Sequence, residues 1–168
     1  MAEPFFSFDI GNFFQAFVLL FSILNALGNV PILISLTSGN EEKRGKIVNQ
    51  SVVIALLILT VFAYVGWLIF QFFGITIADF KIAGGIILFF IAYDNLKGEV
   101  YRPKEIKVEE IAAFPLATPL LAGPAAISTV IILSNPPYGP LLALFVIALN
   151  MLVAWIILRQ SDLIQRAG

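Results

Sequence analysis

The chain contains no cysteine and no histidine. Disulfides, thiolate or imidazole metal sites, histidine-ligated haem and Ser-His or Cys-His catalysis are excluded with them. Charge is nearly as scarce, with 10 Lys and Arg against 11 Asp and Glu in 168 residues and a net charge of −1 at pH 7. Such a balance gives no basic field for nucleic acid, so no nucleic-acid partner is expected. Gly-rich phosphate loops, metal-ligand clusters and paired catalytic carboxylates are missing too, so neither an enzyme nor a cofactor is expected. No carboxylate falls at the middle of an apolar stretch, which removes an embedded Asp/Glu proton relay.

Apolar surface is what the chain has in excess. At 60% hydrophobic residues it carries more than a soluble domain of this length could bury, and the lipid bilayer is its expected solvent. Crossing ~30 Å of hydrocarbon at ~1.5 Å per residue takes roughly 20 apolar residues. Five stretches meet that length, at about 13–36, 52–73, 77–95, 111–134 and 141–158. The expected fold is an all-α, polytopic membrane helix bundle of five spanning helices in a single domain over residues 1–168. Nine of the ten basic residues fall in the connections on one side, and only Lys81 on the other. This places the N-terminus outside and the C-terminus in the cytoplasm. The first stretch has no small-residue cleavage site after it and reads as a retained helix. Residues 97–110 alternate in charge around Pro103 and read as a solvated linker, with room for one helical turn before the fourth helix.

Two of the five stretches are interrupted near their centres, by Asn25-Ala26-Leu27-Gly28-Asn29-Val30-Pro31 and by Pro119-Leu120-Leu121-Ala122-Gly123-Pro124. A break in hydrocarbon strands backbone groups at several kcal/mol each, so it persists only where protein, water or a ligand satisfies them. An offset of 93 residues lays Asn25 over Thr118 and Pro31 over Pro124, with four identities in eleven positions. Since the first helix runs inward and the fourth outward, the match predicts an inverted-topology repeat with a solute site at the midplane.

On the first helix Gln15, Ser22, Asn25 and Asn29 form one narrow stripe. Each asparagine offers two donors and an acceptor, which suits a neutral or zwitterionic solute better than a bare ion. The same amides would equally serve as glue between helices. Pro31 lacks an N–H and is expected to place the bend beside both asparagines. On the fourth helix Thr118, Ala122, Ala125 and Thr129 share a face, and Gly123-Pro124 marks its midpoint. If both breaks free N–H groups, they form a dipolar cradle for a carboxylate. Gly84 and Gly85 are read as close helix packing, Asp79 and Asp94 as charges at helix ends, and Asn150 as a packing or a pathway residue.

Three runs carry a resemblance: Gly28-Asn29-Val30-Pro31-Ile32, Phe80-Lys81-Ile82-Ala83-Gly84-Gly85-Ile86, and Ala113-Phe114-Pro115-Leu116-Ala117-Thr118-Pro119-Leu120-Leu121-Ala122-Gly123-Pro124. In order and spacing they resemble the hallmark stretches of the MarC family of integral membrane proteins. The resemblance implies a multi-pass protein of a prokaryotic cytoplasmic (inner) membrane. It also implies a secondary transporter of small neutral amino acids such as glycine and alanine, built as two inverted helix triplets. This chain would lack the sixth helix. The expected substrate-binding residues are Asn25, Gly28, Asn29, Pro31, Thr118, Ala122, Gly123 and Pro124, with Pro31 and Pro124 holding the breaks open. Proton coupling and a homo-oligomer are both left open. A non-transporting membrane subunit, or an exporter of other small metabolites or drugs, are the alternative readings.

Overall fold

Residues 10–97 and 107–163 are described by the computed structural model of the chain, residues 94–96 by their backbone alone. The expectations for the side chains of Asp94 and Asn95, and for most of the charged linker, fall outside the described residues. Among those described, every regular element is helical: α1 (Ile10–Leu24), α2 (Ala26–Leu36), α3 (Glu41–Phe73), α4 (Ile77–Leu96), α5 (Val108–Ile111), α6 (Pro124–Leu133) and α7 (Pro140–Arg159). Between α5 and α6 the residues Ala112–Leu121 form a wide-turned, irregular segment.

Three spans are long and apolar enough to cross a bilayer: Ile10–Leu36, Glu41–Phe73 and Pro140–Arg159. The pair Val108–Leu121 and Pro124–Leu133, bent by 59°, makes a fourth if it is one span. The 20-residue α4 has the length, but it carries Asp79, Lys81 and Asp94 and is not among the clear spans. Five spans were expected from the sequence, and three to four are established.

Helix ends follow local chemistry. Helix α3 begins at Glu41 rather than near residue 52, because Glu41 and Glu42 in its first turn complement the positive end of the helix dipole. Its 33 residues are about 50 Å long at ~1.5 Å each, well beyond the hydrocarbon thickness, so its charged first turns project past the apolar layer. It closes on Gly74 (φ 65°), with the Ile75 N–H reaching back to the Phe70 carbonyl at 2.9 Å, a Schellman end that glycine allows. Helix α4 opens on a reciprocal cap: the Thr76 Oγ accepts from the Asp79 N–H at 3.1 Å, and Asp79 Oδ2 accepts from the Thr76 N–H at 2.9 Å. Asp79 is thus a capping residue, in line with its reading as a helix-end charge.

In the bundle α3 and α7 pack against each other. Helix α3 also covers the Ala112–Leu121 segment and α6, while α7 covers α1 and α2. Lipid solvates leucine as well as another helix does, so contact depends on close approach between small residues. Ala16, Ala55, Ala63, Ala112, Ala117, Ala126, Ala143 and Ala154 are accordingly buried, and Gly66 lies against the Ile131 side chain. Outward faces carry Leu57, Leu68, Phe72, Ile82 and Phe89, each more than half exposed and suited to lipid.

One end of the bundle is tied by polar groups. The buried Arg44 donates through Nε to Thr37 Oγ1 at 2.7 Å and pairs with Asp162 just beyond α7. Trp155 Nε1 donates to Asn49 Oδ1 at 2.8 Å, and Arg159 stacks on the Trp155 ring while filling the space that Gly45 leaves free. These contacts fix the ends of α3 and α7 to each other.

Candidate solute site between two broken helices

The first break is a single residue. Asn25 adopts φ 44° and ψ 48°, the one non-glycine residue with positive φ among those described, in a region that asparagine tolerates better than most side chains. Its Oδ1 accepts from the Gly28 N–H at 3.3 Å and so caps α2. A Cβ on Gly28 would collide with this amide, so the cap requires glycine there. Asn29 is 6% exposed, and its Nδ2 donates to the carbonyl of Leu24, the last residue of α1, at 3.1 Å. Both asparagines therefore hold the break together. Pro31 does not cause it: the proline sits inside α2, where it removes one ladder bond and leaves the helix intact.

The second break is longer and rests on prolines. Phe114 (φ −140°, ψ 129°) and Thr118 (φ −130°, ψ 121°) are extended because each precedes a proline, whose ring disfavours the helical conformation in the residue before it. The peptide bonds before Pro115 and Pro119 are cis. The Ala122 N–H donates to the Ala117 carbonyl at 2.7 Å, Gly123 is extended, and α6 starts at Pro124, which has no N–H to strand. Gly123 lies so near the Pro119 carbonyl that any Cβ would collide with it. No side chain caps α6. The N–H groups of its first turn, at Ala125 and Ala126, have no partner within the helix and form its positive end.

A cavity of about 170 Å³ lies between the breaks. Ile23, Leu24, Asn25 and Asn29 line it from one side, and Pro119, Leu120, Gly123, Pro124, Ala125 and Ala126 from the other. Four of the eight expected site residues meet there: Asn25, Asn29, Gly123 and Pro124. Gly28, Pro31, Thr118 and Ala122 are not among the lining residues. Gly28 and Pro31 are exposed on α2, Thr118 is exposed, and Ala122 is sealed in the core. This volume is well short of the ~300 Å³ at which drug-sized sites begin.

The polar stripe on α1 splits. Gln15 and Ser22 lie on a shallow outer depression lined by α1 alone; Gln15 accepts from the Tyr138 hydroxyl at 3.3 Å and Ser22 returns its hydroxyl to the Val18 carbonyl at 2.8 Å. Asn150 is fully buried and donates to the carbonyls of Val146 and Phe17 at 2.9 and 3.4 Å, a bond between α7 and α1 outside the cavity. Leu88 of α4 also lines the cavity and was missed in the sequence. The spacing of four between Phe80, Gly84 and Leu88 puts them on one helix face and is the signal that could have found it.

The lining offers two amides, free N–H groups at a helix end and apolar walls, with no titratable side chain among them. No group of His, Cys, Asp or Glu among the described residues could hold a metal ion. The chemistry available is binding of a small molecule with both donors and acceptors.

Comparison with known proteins agrees with a membrane assignment. The family model for the MarC family integral membrane protein matches residues 10–167. UPF0056 membrane protein MJ1677 of Methanocaldococcus jannaschii is 46% identical over 129 residues, covering 71% of this chain and 62% of its own length. A UPF0056 membrane protein of Archaeoglobus fulgidus is 38% identical, covering 90% of this chain and 74% of its own length. UPF0056 membrane protein YhcE of Escherichia coli K12 is 35% identical, with 99% and 82% covered. The chain thus spans between about three fifths and four fifths of the length of these relatives. No solved structure matches it. With its apolar helices, its three hallmark runs and a match along nearly all of its length, the chain belongs to the MarC family of integral membrane proteins.

Proposed function

We propose that this chain is a secondary transporter of small neutral amino acids, or of similar small polar solutes, and that the cavity between the breaks is where the solute binds. The observation that carries this reading is the pairing of opposite polarities across a small space. On one wall stands the amide of Asn29, a residue 6% exposed; on the other, α6 presents an uncapped positive end. A zwitterion fits that pairing, with its carboxylate on the N–H groups of Ala125 and Ala126 and its ammonium on Asn29 Oδ1. The volume favours a glycine- or alanine-sized solute over a drug, which argues against the drug-exporter alternative.

In this reading the protein lies in the cytoplasmic membrane, α4 is a fifth span, the N-terminus lies outside and the C-terminus in the cytoplasm. The inverted repeat relates the two broken helices. The pairing of Asn25 with Thr118 supports it, since both residues leave the helical conformation. Because the chain has no cysteine, single-cysteine labelling from either side maps this topology without background.

The alternative of a non-transporting membrane subunit is favoured by one observation: the Asn25 and Asn29 amides bond to their own backbone neighbours and hold the break itself. Counterflow of labelled glycine or alanine in proteoliposomes separates the two. A transporter gives saturable counterflow; a subunit gives none, and added glycine or alanine leaves its thermal stability unchanged.

A further inference from the structure

Helix α4 touches the rest of the bundle along one stripe. Phe80 stacks near Phe70 and Phe62 of α3, with ring centroids 5.1 and 6.4 Å apart, and pins the start of the helix. One turn on, Gly84 is buried against the ring of Pro124, so tightly that any side chain would collide with it. Leu88, one further turn or ~6 Å along, is the α4 residue that enters the cavity. Away from this stripe α4 is exposed: Ile82, Ile86, Ile87, Phe89 and Phe90 are each more than half accessible.

The remainder of the cavity is built from the two broken helices, whose backbones are fixed by caps, prolines and close approach. Leu88 is different. It comes from a helix whose main contact is α6, and its depth is set by the Gly84–Pro124 contact beside the positive end of α6. A solute whose carboxylate sits on that end has Leu88 as the neighbouring apolar wall.

We infer that Leu88 is a specificity-determining residue, whose side chain limits the size of the apolar substituent on the solute. This rests on the transporter reading above and adds to it the element of the site that selects among solutes. In a hydrophobic pocket one methylene is worth about 10- to 200-fold in discrimination, so a side chain shortened by three carbons has ample room to act.

The test is competition of labelled glycine counterflow by unlabelled glycine, alanine, valine and leucine, in wild type, Leu88→Ala, Leu88→Met and Leu88→Phe. A purely structural role would lower all rates together, so the readout is the ratio among competitors. Leu88→Ala should improve valine or leucine relative to alanine by about tenfold or more, Leu88→Phe should weaken alanine relative to glycine, and Leu88→Met, close in volume, should keep the wild-type ratios. Ile87→Ala, on the exposed face, should also keep them. Unchanged ratios in both Leu88→Ala and Leu88→Phe, with wild-type counterflow intact, would overturn the assignment of Leu88 while leaving the transporter reading standing. Absence of counterflow in the wild type would overturn the transporter reading, and the role of Leu88 with it.

Discussion

Replacing Gly123 by alanine probes the second break with a single methyl group. The φ of −84° is open to any L-residue, so the substitution meets no backbone strain, and the preference for Gly over Ala at this helix N-cap is worth about 0.5–1 kcal/mol. The larger penalty comes from sterics. The obstacle is the Pro119 carbonyl, part of the backbone and held by two neighbouring proline-directed turns, so it cannot rotate aside as a side chain would. Overpacking of this kind costs about 1–3 kcal/mol. At about 2–4 °C per kcal/mol for a chain of this size, Gly123→Ala should lower the midpoint of thermal unfolding in detergent by about 2–12 °C. It should also weaken solute binding, because the break can relieve the clash only by moving the start of α6 at the cavity wall. The built-in control is Gly85, where an added Cβ would enter open space. A Gly123→Ala protein with wild-type melting and unchanged solute affinity would refute the account of this break.

The two glycines of α4 should part company in the same assay: Gly84→Ala is destabilising by about 1–3 kcal/mol through its clash with Pro124, whereas Gly85→Ala is neutral or stabilising by up to about 1 kcal/mol. Asn25→Gly keeps the left-handed conformation and loses only the cap to Gly28, so it should cost a few tenths of a kcal/mol, while Asn25→Leu loses both and should cost about 1–3 kcal/mol. Urea titration of the detergent-solubilised variants separates the two. Asp162→Asn leaves the buried Arg44 without its anion; because Asp162 is 59% exposed and water partly replaces it, the loss should be about 1–2 kcal/mol, shrinking as salt is raised. Equal stability of wild type and Asp162→Asn at low salt would remove this pair from the forces joining α3 to α7.

The bilayer-scale features were legible in the sequence because they depend on length and composition. The apolar runs, the single turn of α5 and the positions of both breaks all follow from residue type. Other features depend on which competing local interaction wins. Pro31 marked a bend, yet the chain turns at Asn25, where a side-chain amide caps α2 and stabilises a left-handed residue; the proline then falls inside a helix that absorbs it. Thr118 and Ala122 share a helical face with Ala125 only if the helix is continuous, and the extended residues before Pro115 and Pro119 destroy that periodicity. Leu88 was overlooked because its spacing of four from Phe80 and Gly84 defines a helix face without telling which way that face turns. Only the close contact of Gly84 with Pro124 fixes which face of α4 turns inward.

Binding of a solute between the Asn29 amide and the start of α6 can be read from glycine counterflow by Asn29→Leu against wild type, at matched protein in the same liposomes. Wild type should give saturable counterflow, and Asn29→Leu protein that still inserts and keeps its helical content should lose it by about tenfold or more. Equal counterflow by the two proteins would contradict binding there.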